Sequence, residues 1–405
     1  MRILHTADWH LGKRLDHFSR LEEQKAVLEE ICQIADREQV DAVLIAGDLF
    51  DHVNPSIEAL ELFYKTLKRL AKNGQRAVVG IAGNHDSPDR IEAPVPLARE
   101  CGIILTGYPD SQVRPFALDK GFEITQSAPG FLEIAFPHLN YPLRLLLTPY
   151  ANEVRLKRYL GQDQTEASLR EVLQKSWGAL AKTHCDQAGV NVLMTHLFLV
   201  DKKNPLPEEP DDEKPILTVG GAQEIFTENL PKNLHYAALG HLHRHQLVQE
   251  TPYPVVYSSS PLSYSMSEAG QQKYVVIIEA EPGKAAQLTP IPLTQGRSLE
   301  RQTFEVVDEA VQWLEANPHT WVELTMVTED FLRADERKRL YQAHDGIVSL
   351  IPQITNPEQA AVSGEQVDLS KDVKSLFEDY FKYKHGQAPG DHILALLKEV
   401  MAEEE

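Results

Sequence analysis

Side chains that can bind metals follow apolar stretches at five places in this 405-residue sequence. In VVGIAGNHD (78–86), a run of small and branched apolar residues ends abruptly in Asn, His and Asp. Such a run predicts a buried strand, and polar groups at its tip are placed for binding or catalysis. The other four places end in similar residues, and the complete set of candidates is Asp8, His10, Asp48, Asp51, Asn84, His85, His196, His241 and His243.

These candidates are expected to meet at one edge of a sheet. In an open α/β sheet, ligands bind at the edge formed by the carboxyl ends of the strands. In Asp8-x-His10 and in His241-x-His243, a spacing of two puts both side chains on the same side of an extended chain. A lone Asp after a strand is usually a helix cap, and a lone buried His is usually only hydrogen-bonded. Five clusters on one edge favour a shared site instead.

The types of residue in the set indicate a metal-dependent reaction. Mixed imidazole and carboxylate ligands without thiolate are typical of manganese, iron or zinc sites rather than of sites for magnesium alone. Asp48 has two carboxylate oxygens and is the natural bridge between two ions. Two ions about 3.5 to 4 Å apart stabilise both the attacking and the leaving oxygen of a phosphoryl displacement. The residues therefore predict a two-metal phosphoesterase.

The elements that must position these residues alternate along the first hundred residues. Strands are expected at 2–8, 41–48 and 75–86, and helices near 19–38, 56–72 and 88–99. Near-continuous apolar strands that alternate with helices predict a parallel sheet covered on both faces. Shorter strands follow, then a helix near 165–184 and two buried strands that end at His196 and His241. The segments at 254–261 and 273–281 are expected to be antiparallel sheet edges.

Composition narrows the class of protein. The formal net charge of −20 argues against holding nucleic acid by general electrostatics, but not against nucleic acid as a substrate. The three cysteines, Cys32, Cys101 and Cys185, are too scattered for a disulfide framework or a zinc ribbon, which fits a reducing cytosol. No apolar stretch reaches the roughly 18 residues of a membrane span, and no signal peptide is recognisable. We therefore expect a cytoplasmic protein without a membrane partner.

The second half of the chain predicts further domains. We assign residues 1–300 to the first domain and 301–353, where helix and strand alternate twice, to a small α+β domain. A polar linker at 354–368 leads to a helical segment at 369–405. One helix of that segment has an apolar stripe, which favours docking of another protein or folding back on its own chain: Val373, Leu376, Phe377, Tyr380 and Phe381.

The order DxH, GDxxD, GNHD, a later lone His and GHxH resembles the calcineurin-like metallophosphoesterase superfamily. More narrowly, DWHLGK (8–13), GDLFD (47–51), GNHDSPDR (83–90) and GHLH (240–243) are similar to the SbcD family, the nuclease subunits of bacterial SbcCD DNA repair complexes. The resemblance implies an α/β fold, a four-layer α/β/β/α sandwich with a small α+β capping domain. It also implies a C-terminal helical tail that binds an SbcC-like coiled-coil ATPase.

The resemblance further implies two ions, typically manganese, with magnesium, iron or zinc as alternatives. One ion would be held by Asp8, His10, Asp48 and His243, and the other by Asp48, Asn84, His196 and His241. The resemblance also implies roles for two neighbours of the ligands. His85 would act on the leaving oxygen, and Asp51 would orient His85, with a helix cap before Pro55 as an equal alternative for Asp51.

The implied activity is that of a DNA nuclease in end processing, repair and recombination. It would act as a 3′-5′ exonuclease on duplex ends and as an endonuclease on single strands and hairpins. Lys13, Arg14 and Arg90 could contact DNA phosphates, although solvated surface charge explains them as well. The helices at 56–72 and 88–99 could form a homodimer within a heterotetramer, or pack only on their own sheet. The alternatives are a small-molecule or cyclic-nucleotide phosphodiesterase and a non-catalytic scaffold.

Overall fold

The computed structural model describes residues 1–151, 169–203, 224–329 and 331–355, and beyond them only 375–378, 381, 389 and 394. The described chain forms two compact units. The first unit contains 1–302, 317–323 and 346–349, and the second contains 303–316, 324–345 and the described residues from 350 onward. Most of the acidic loop at 201–215, of the linker at 354–368 and of the tail at 369–405 lies outside the described residues. The division into domains stays a prediction.

The strands are numbered in chain order within the described residues. They are β1 (Arg2–Thr6), β2 (Arg14–Leu15), β3 (Phe18–Ser19), β4 (Ala42–Ile45), β5 (Ala77–Ile81), β6 (Ile103–Thr106), β7 (Glu123–Ala128), β8 (Phe131–Ala135), β9 (Leu143–Thr148), β10 (Val190–His196), β11 (Leu199–Val200), β12 (Ile225–Phe226), β13 (Tyr236–Gly240), β14 (Gln246–Gln249), β15 (Val255–Tyr257), β16 (Tyr274–Glu279), β17 (Gln287–Pro292), β18 (Ser298–Phe304), β19 (Thr320–Thr328) and β20 (Ile347–Ile354).

The helices of the described residues are numbered in the same way. They are α1 (Leu21–Arg37), α2 (Ile57–Ala71), α3 (Pro88–Glu92), α4 (Val95–Ala98), α5 (Leu169–His184), α6 (Val307–Ala316) and α7 (Ala334–Ala343). The strands and helices predicted in the first hundred residues are confirmed, with ends shifted by a few residues. The single helix predicted at 88–99 is instead the pair α3 and α4, which Pro94 separates.

The first sheet has six strands in the order β17-β16-β1-β4-β5-β6. Strands β1, β4, β5 and β6 run parallel, as predicted, whereas β16 and β17 are antiparallel additions. The prediction that 273–281 is a sheet edge was wrong, because β17 pairs with the outer side of β16. Val275 and Ile277 of β16 point into one apolar core and Val276 and Ile278 into another, so both faces of this strand are buried.

The second sheet has seven strands in the order β14-β15-β13-β10-β9-β8-β7. Strands β9, β10, β13 and β15 are parallel, and β7, β8 and β14 are antiparallel. The prediction of an antiparallel edge at 254–261 was also wrong. The turn after β14 folds that strand back onto β15, so β14 takes the edge and β15 pairs in parallel with β13.

Three apolar cores separate four layers. Helices α1 and α2 cover the outer face of the first sheet, with Ile31 and Phe63 in that core. The two sheets face each other across a second core that contains Val79 and Val192. Helix α5 covers the second sheet, where Trp177 is buried and donates a hydrogen bond of 2.8 Å to the hydroxyl of Thr148. The predicted α/β/β/α sandwich is therefore confirmed.

Helix α2 shows how local sequence sets an element of this sandwich. Its amino end is capped by Ser56, whose hydroxyl accepts a hydrogen bond of 3.2 Å from the N–H of Ala59. It ends at Ala71, and the next residue, Lys72, adopts the left-handed conformation. Its apolar stripe packs on the first sheet, but Ile57 at its start is 79% exposed. Packing on the chain's own sheet thus accounts for most, but not all, of the apolar residues of α2.

The region predicted as a small α+β domain contains helices α6 and α7, which pack against each other. Strands β18, β19 and β20 form a three-stranded sheet in that order. Strand β18 was not predicted, because its exposed residues alternate with half-buried ones and only Leu299 is buried in it. Within the residues that the structure describes, no helix is both long and apolar enough to span a membrane.

Candidate metal centre

The carboxyl ends of five strands meet where the two sheets pack together, and each carries predicted ligands. Several hydrogen bonds join the sheets at this edge, and two of them involve backbone atoms beside the ligands. The Nδ1 of His196 donates to the carbonyl oxygen of Ala46 at 2.8 Å, and the N–H of His241 donates to Oδ1 of Asp8 at 2.8 Å. The structure brings all seven predicted ligands together, buried except for the half-buried Asn84: Asp8, His10, Asp48, Asn84, His196, His241 and His243.

Two glycines make this close approach possible. A Cβ atom on Gly240 would lie 1.8 Å from the carbonyl oxygen of Ala46 in the opposite sheet. A Cβ atom on Gly83 would lie 2.1 Å from Oδ1 of Asp48. Both distances are far inside van der Waals contact, so any larger residue would push the strand tips apart. The glycines that precede the ligands in the sequence motifs are therefore required by packing.

Four ligands sit in a backbone conformation that residues other than glycine rarely adopt. Their φ angles are 55° at Asp8, 43° at His10, 48° at Asp48 and 104° at His241. Each such residue costs on the order of 1 kcal/mol, and such conformations concentrate at functional sites. Strain at four ligands indicates that the fold holds them for a purpose other than stability.

The first cluster contains Asp8, His10 and His243, each of which offers a ligand atom within 4.8 Å of the others. The Nε2 atoms of His10 and His243 face each other at 3.0 Å. The Oδ2 of Asp8 is buried and has no hydrogen-bond partner among the described residues. A buried carboxylate oxygen is costly to leave unpaired, so this cluster fits a cation.

The second cluster contains Asp48, His196 and His241. Asn84 joins it, because its Oδ1 lies 2.9 Å from Nε2 of His196 and 3.1 Å from Nδ1 of His241. Asp48 borders both clusters: its Oδ2 lies 3.2 Å from Nε2 of His196 and 3.5 Å from Nε2 of His10. Ligand atoms spaced about 3 Å apart suit an ion bound at roughly 2.0 to 2.2 Å from each.

The electrostatics of the clusters agree with this interpretation. Burial raises the pKa of Asp8 to about 7, although His196 and His243 oppose the shift. Burial alone would lower the pKa of His196, but the carboxylate of Asp48 prevails and raises it to about 9. Burial would raise the pKa of Asp48, but His196 and His10 hold it well below its usual range. Bound cations would displace protons from such a site, because metal ligands must be deprotonated.

His85 lies beside the first cluster, with its ring 4.9 Å from the ring of His10. Its Nδ1 donates to the backbone carbonyl oxygen of Asp51 at 3.0 Å, which places a hydrogen on Nδ1. The sequence predicts that Asp51 orients His85, and the contact between them uses the backbone of Asp51. Its carboxylate lies 3.8 Å from Nδ1 of His10, 3.4 Å from Nζ of Lys13 and 3.0 Å from Nε2 of His52.

Asp86 completes the motif GNHD in a way that the sequence alone does not reveal. Its buried carboxylate accepts hydrogen bonds from the N–H groups of Gly83 at 2.8 Å, Leu49 at 3.0 Å and Phe50 at 2.9 Å. These donors belong to the loops after β4 and β5, so Asp86 ties the loop of Asp48 to the loop of Asn84. Aspartate after GNH thus holds two ligand loops in register.

Glu268 is a further residue of the site that was not predicted from the sequence. It is fully buried, and its Oε1 lies 3.3 Å from Nδ1 of His243. Burial would raise the pKa of this carboxyl group, but the Lys273 ammonium lowers it to about 2. Glu268 stands 25 residues after His243 in a short turn of helix, and no local motif marks it. A hydrogen-bond partner of a ligand has no fixed spacing, so the sequence carries no signal for it.

The three cations proposed for DNA contact lie in different environments. Lys13 is paired with the carboxylate of Asp51, as its 3.4 Å distance shows. Arg14 is exposed and donates to the carbonyl oxygen of His17 in the hairpin formed by β2 and β3. Arg90 is exposed on α3. Their contacts with DNA stay predictions, and Lys13 would first have to leave its ion pair.

An α/β/β/α sandwich with clusters of imidazole and carboxylate at its strand tips is the architecture of a metallophosphoesterase. The sequence profile of the calcineurin-like phosphoesterase family matches residues 1–245. The chain belongs to the calcineurin-like phosphoesterase family.

Full-length relatives agree with the narrower resemblance. The chain is 35% identical to the SbcD component of the SbcCD nuclease of Bacillus subtilis (strain 168), over 99% of this chain and 97% of that protein. It is 32% identical to the protein of the same name in Rhodobacter capsulatus, over 72% of this chain and 69% of that protein. It is 27% identical to the protein of the same name in Escherichia coli (strain K12), over 84% of this chain and 81% of that protein. The resemblance to the SbcD family is confirmed.

Proposed function

We propose that this chain is the nuclease subunit of an SbcCD-type complex and hydrolyses phosphodiester bonds in DNA. It would degrade duplex ends in the 3′-5′ direction and cut single strands and hairpins during end processing, repair and recombination in the cytoplasm. One observation carries the proposal: two ligand clusters lie side by side, with Oδ2 of Asp48 3.5 Å from His10 and 3.2 Å from His196. Similarity to nuclease subunits over nearly the whole chain supports DNA as the substrate.

We assign one manganese ion to Asp8, His10, Asp48 and His243, and a second to Asp48, Asn84, His196 and His241. When bound, such a pair supplies positive charge for the phosphate oxygens and lowers the pKa of water toward neutrality. The chain itself supplies the geometry. Four ligands held in the left-handed region and two glycines keep the strand tips at ligand-to-ligand distances.

The residues around the ions then act on the scissile bond. The carbonyl oxygen of Asp51 accepts the hydrogen on Nδ1 of His85, and we assign Nε2 to the substrate. With a second hydrogen on Nε2, His85 would donate a proton or a hydrogen bond to the departing 3′ oxygen. Asp51 would act through its backbone, while its carboxylate holds Lys13 near the entrance of the site.

The activity can be tested with purified protein and manganese alone. We expect nicking of single-stranded circular DNA that requires Mn²⁺ and stops on addition of EDTA. The same preparation should be assayed on bis-p-nitrophenyl phosphate and on cyclic nucleotides. Hydrolysis of these small esters with DNA left intact would instead favour the small-molecule phosphodiesterase, and no hydrolysis of any ester would favour the scaffold.

We further propose that the tail at 369–405 binds a coiled-coil ATPase of the SbcC type. The proposal rests on the apolar stripe in its sequence and on the names of the relatives. Deleting 369–405 should abolish co-purification with the co-expressed ATPase while leaving manganese-dependent nicking of single-stranded DNA intact. Co-purification of the truncated chain would refute this assignment.

A homodimer is also proposed, through the exposed side of α2 and α4. Ile57 and Tyr64 lie two turns apart on one face of α2, and Ile57 and Leu97 are 79% and 75% exposed. Ile57→Glu should shift sedimentation from dimer toward monomer, because a charge cannot be buried unpaired in an apolar contact. Leu247→Glu changes a 52% exposed leucine on β14 and serves as the control, which should leave the dimer intact.

A further inference from the structure

An ion pair is buried directly behind one of the metal ligands. Glu268 and Lys273 are both buried, and Nζ of Lys273 donates to Oε2 of Glu268 and, at 2.9 Å, to the carbonyl oxygen of His243. The other oxygen of Glu268, Oε1, accepts from the N–H of Tyr264 at 3.0 Å and lies 3.3 Å from Nδ1 of His243. The carboxylate is thus surrounded by donors.

This arrangement decides which nitrogen of His243 carries hydrogen. A carboxylate beside an ammonium group only accepts hydrogen bonds, so Nδ1 of His243 must be the donor. The neutral imidazole then has a lone pair on Nε2, the atom that faces His10 across 3.0 Å. The other tautomer would place hydrogen on Nε2 and block a cation. A carboxylate behind a ligating histidine commonly fixes the tautomer in this way.

We propose that Glu268 is a positioning residue that holds His243 in the tautomer required to bind a cation, with Lys273 and Tyr264 fixing the carboxylate. The inference rests on the proposed two-ion centre. It assigns a role to a residue that none of the sequence motifs contains. It also predicts that the effect is confined to one cluster, because Glu268 contacts His243 and no ligand of the second ion.

Glu268→Gln tests this role with little change of volume. Three donors surround the two oxygens of Glu268, so an amide nitrogen must face one of them. If it faces His243, it requires an unprotonated Nδ1 and so moves the hydrogen to Nε2. The matched control is Glu133→Gln. Glu133 is buried and accepts from Nε of Arg144 at 2.7 Å, but it belongs to β8 and contacts no metal ligand.

Calorimetric titration of the full chain with Mn²⁺ gives the readout. The unchanged chain and Glu133→Gln should each bind two ions, and Glu268→Gln should lose affinity for one ion by about 10- to 100-fold. Unchanged binding of two ions by a Glu268→Gln chain whose histidine nitrogen-15 shifts place the hydrogen of His243 on Nε2 would overturn the proposal. If the unchanged chain binds no ions, the two-ion centre itself fails.

A second measurement covers the case in which Glu268→Gln does not fold. Nitrogen-15 shifts of labelled histidine in the unchanged, metal-free chain report the tautomer, and His243→Asn identifies the signals of His243. We expect Nδ1 to be protonated and Nε2 to be bare. A protonated Nε2 in the neutral ring would refute the role of Glu268, whatever the variant does.

Discussion

Asp48→Asn should abolish manganese-dependent DNA hydrolysis, by on the order of 10³-fold or more, about 4 kcal/mol of barrier. Asp48 is the residue whose carboxylate borders both clusters, and asparagine replaces one oxygen with an amide nitrogen that cannot bind a cation. Titration with Mn²⁺ should show weaker binding of both ions rather than of one. Melting curves recorded without metal should show a lower melting temperature, because the substitution leaves the buried His196 without the carboxylate that raises its pKa.

The control for this substitution is Asp16→Asn. Asp16 is an exposed carboxylate in the hairpin that follows the first ligands, and it pairs with His17. Its change should leave both metal binding and hydrolysis as they are. Unchanged hydrolysis by Asp48→Asn would remove the basis for a shared ligand, and loss of only one ion would show that the two clusters work separately.

His85→Gln should lower DNA hydrolysis by roughly 10²- to 10⁴-fold while both ions stay bound. Its Nδ1 donates to the carbonyl oxygen of Asp51, and we assign its Nε2 to the leaving oxygen, so the loss should fall on the chemical step. Glutamine can still donate a hydrogen bond to the carbonyl of Asp51 but cannot transfer a proton. The measurement is single-turnover cleavage of a labelled oligonucleotide, together with Mn²⁺ titration.

His52→Gln is the matched control for this second prediction. Its side chain is 79% exposed and pairs with the carboxylate of Asp51, so it lies in the same loop without facing the clusters. It should cleave at the unchanged rate. If His85→Gln lost an ion instead of activity, His85 would have to be counted among the ligands.

The ligand positions could be predicted because they depend on local patterns. An apolar run followed by Gly and a polar residue marks the tip of a buried strand, and parallel strands bring their tips to one edge. Asp48, Asn84 and His241 follow this rule directly. The backbone strain at Asp8 and Asp48 could not be predicted in the same way, because it depends on how the two sheets meet.

Pairings between distant segments were the weaker part of the prediction. The segment at 254–261 was expected at a sheet edge because strand β14 was not recognised. Strand β14 is short and lacks the apolar alternation of a typical strand, so its sequence does not show that it pairs with β15. Strand β16 does not lie at a sheet edge, because β17 pairs with the edge of β16 that faces away from β1. In both cases the decisive contact involves a neighbour whose own sequence gives little sign of a strand.

The supporting residues of the site were the least predictable. Asp51 contacts His85 through its carbonyl oxygen, and a backbone contact does not depend on the type of side chain. Asp86 was recognised as part of the GNHD motif. Its three hydrogen bonds to backbone N–H groups could not be predicted, because the donors come together only when the two loops fold. Glu268 could not be found at all, because the turn that carries it meets His243 only in the folded chain.

The close contact of Gly240 with Ala46 of the opposite sheet means that the site is assembled only when the two sheets have docked. Asp8, His10, Asp48 and Asn84 follow strands of the first sheet, while His196, His241 and His243 come from the second. Neither half has the ligands of a complete centre before the sheets dock. If the proposed function holds, a newly made or partly unfolded chain would therefore not cut DNA, and hydrolysis would begin only once the two sheets have docked.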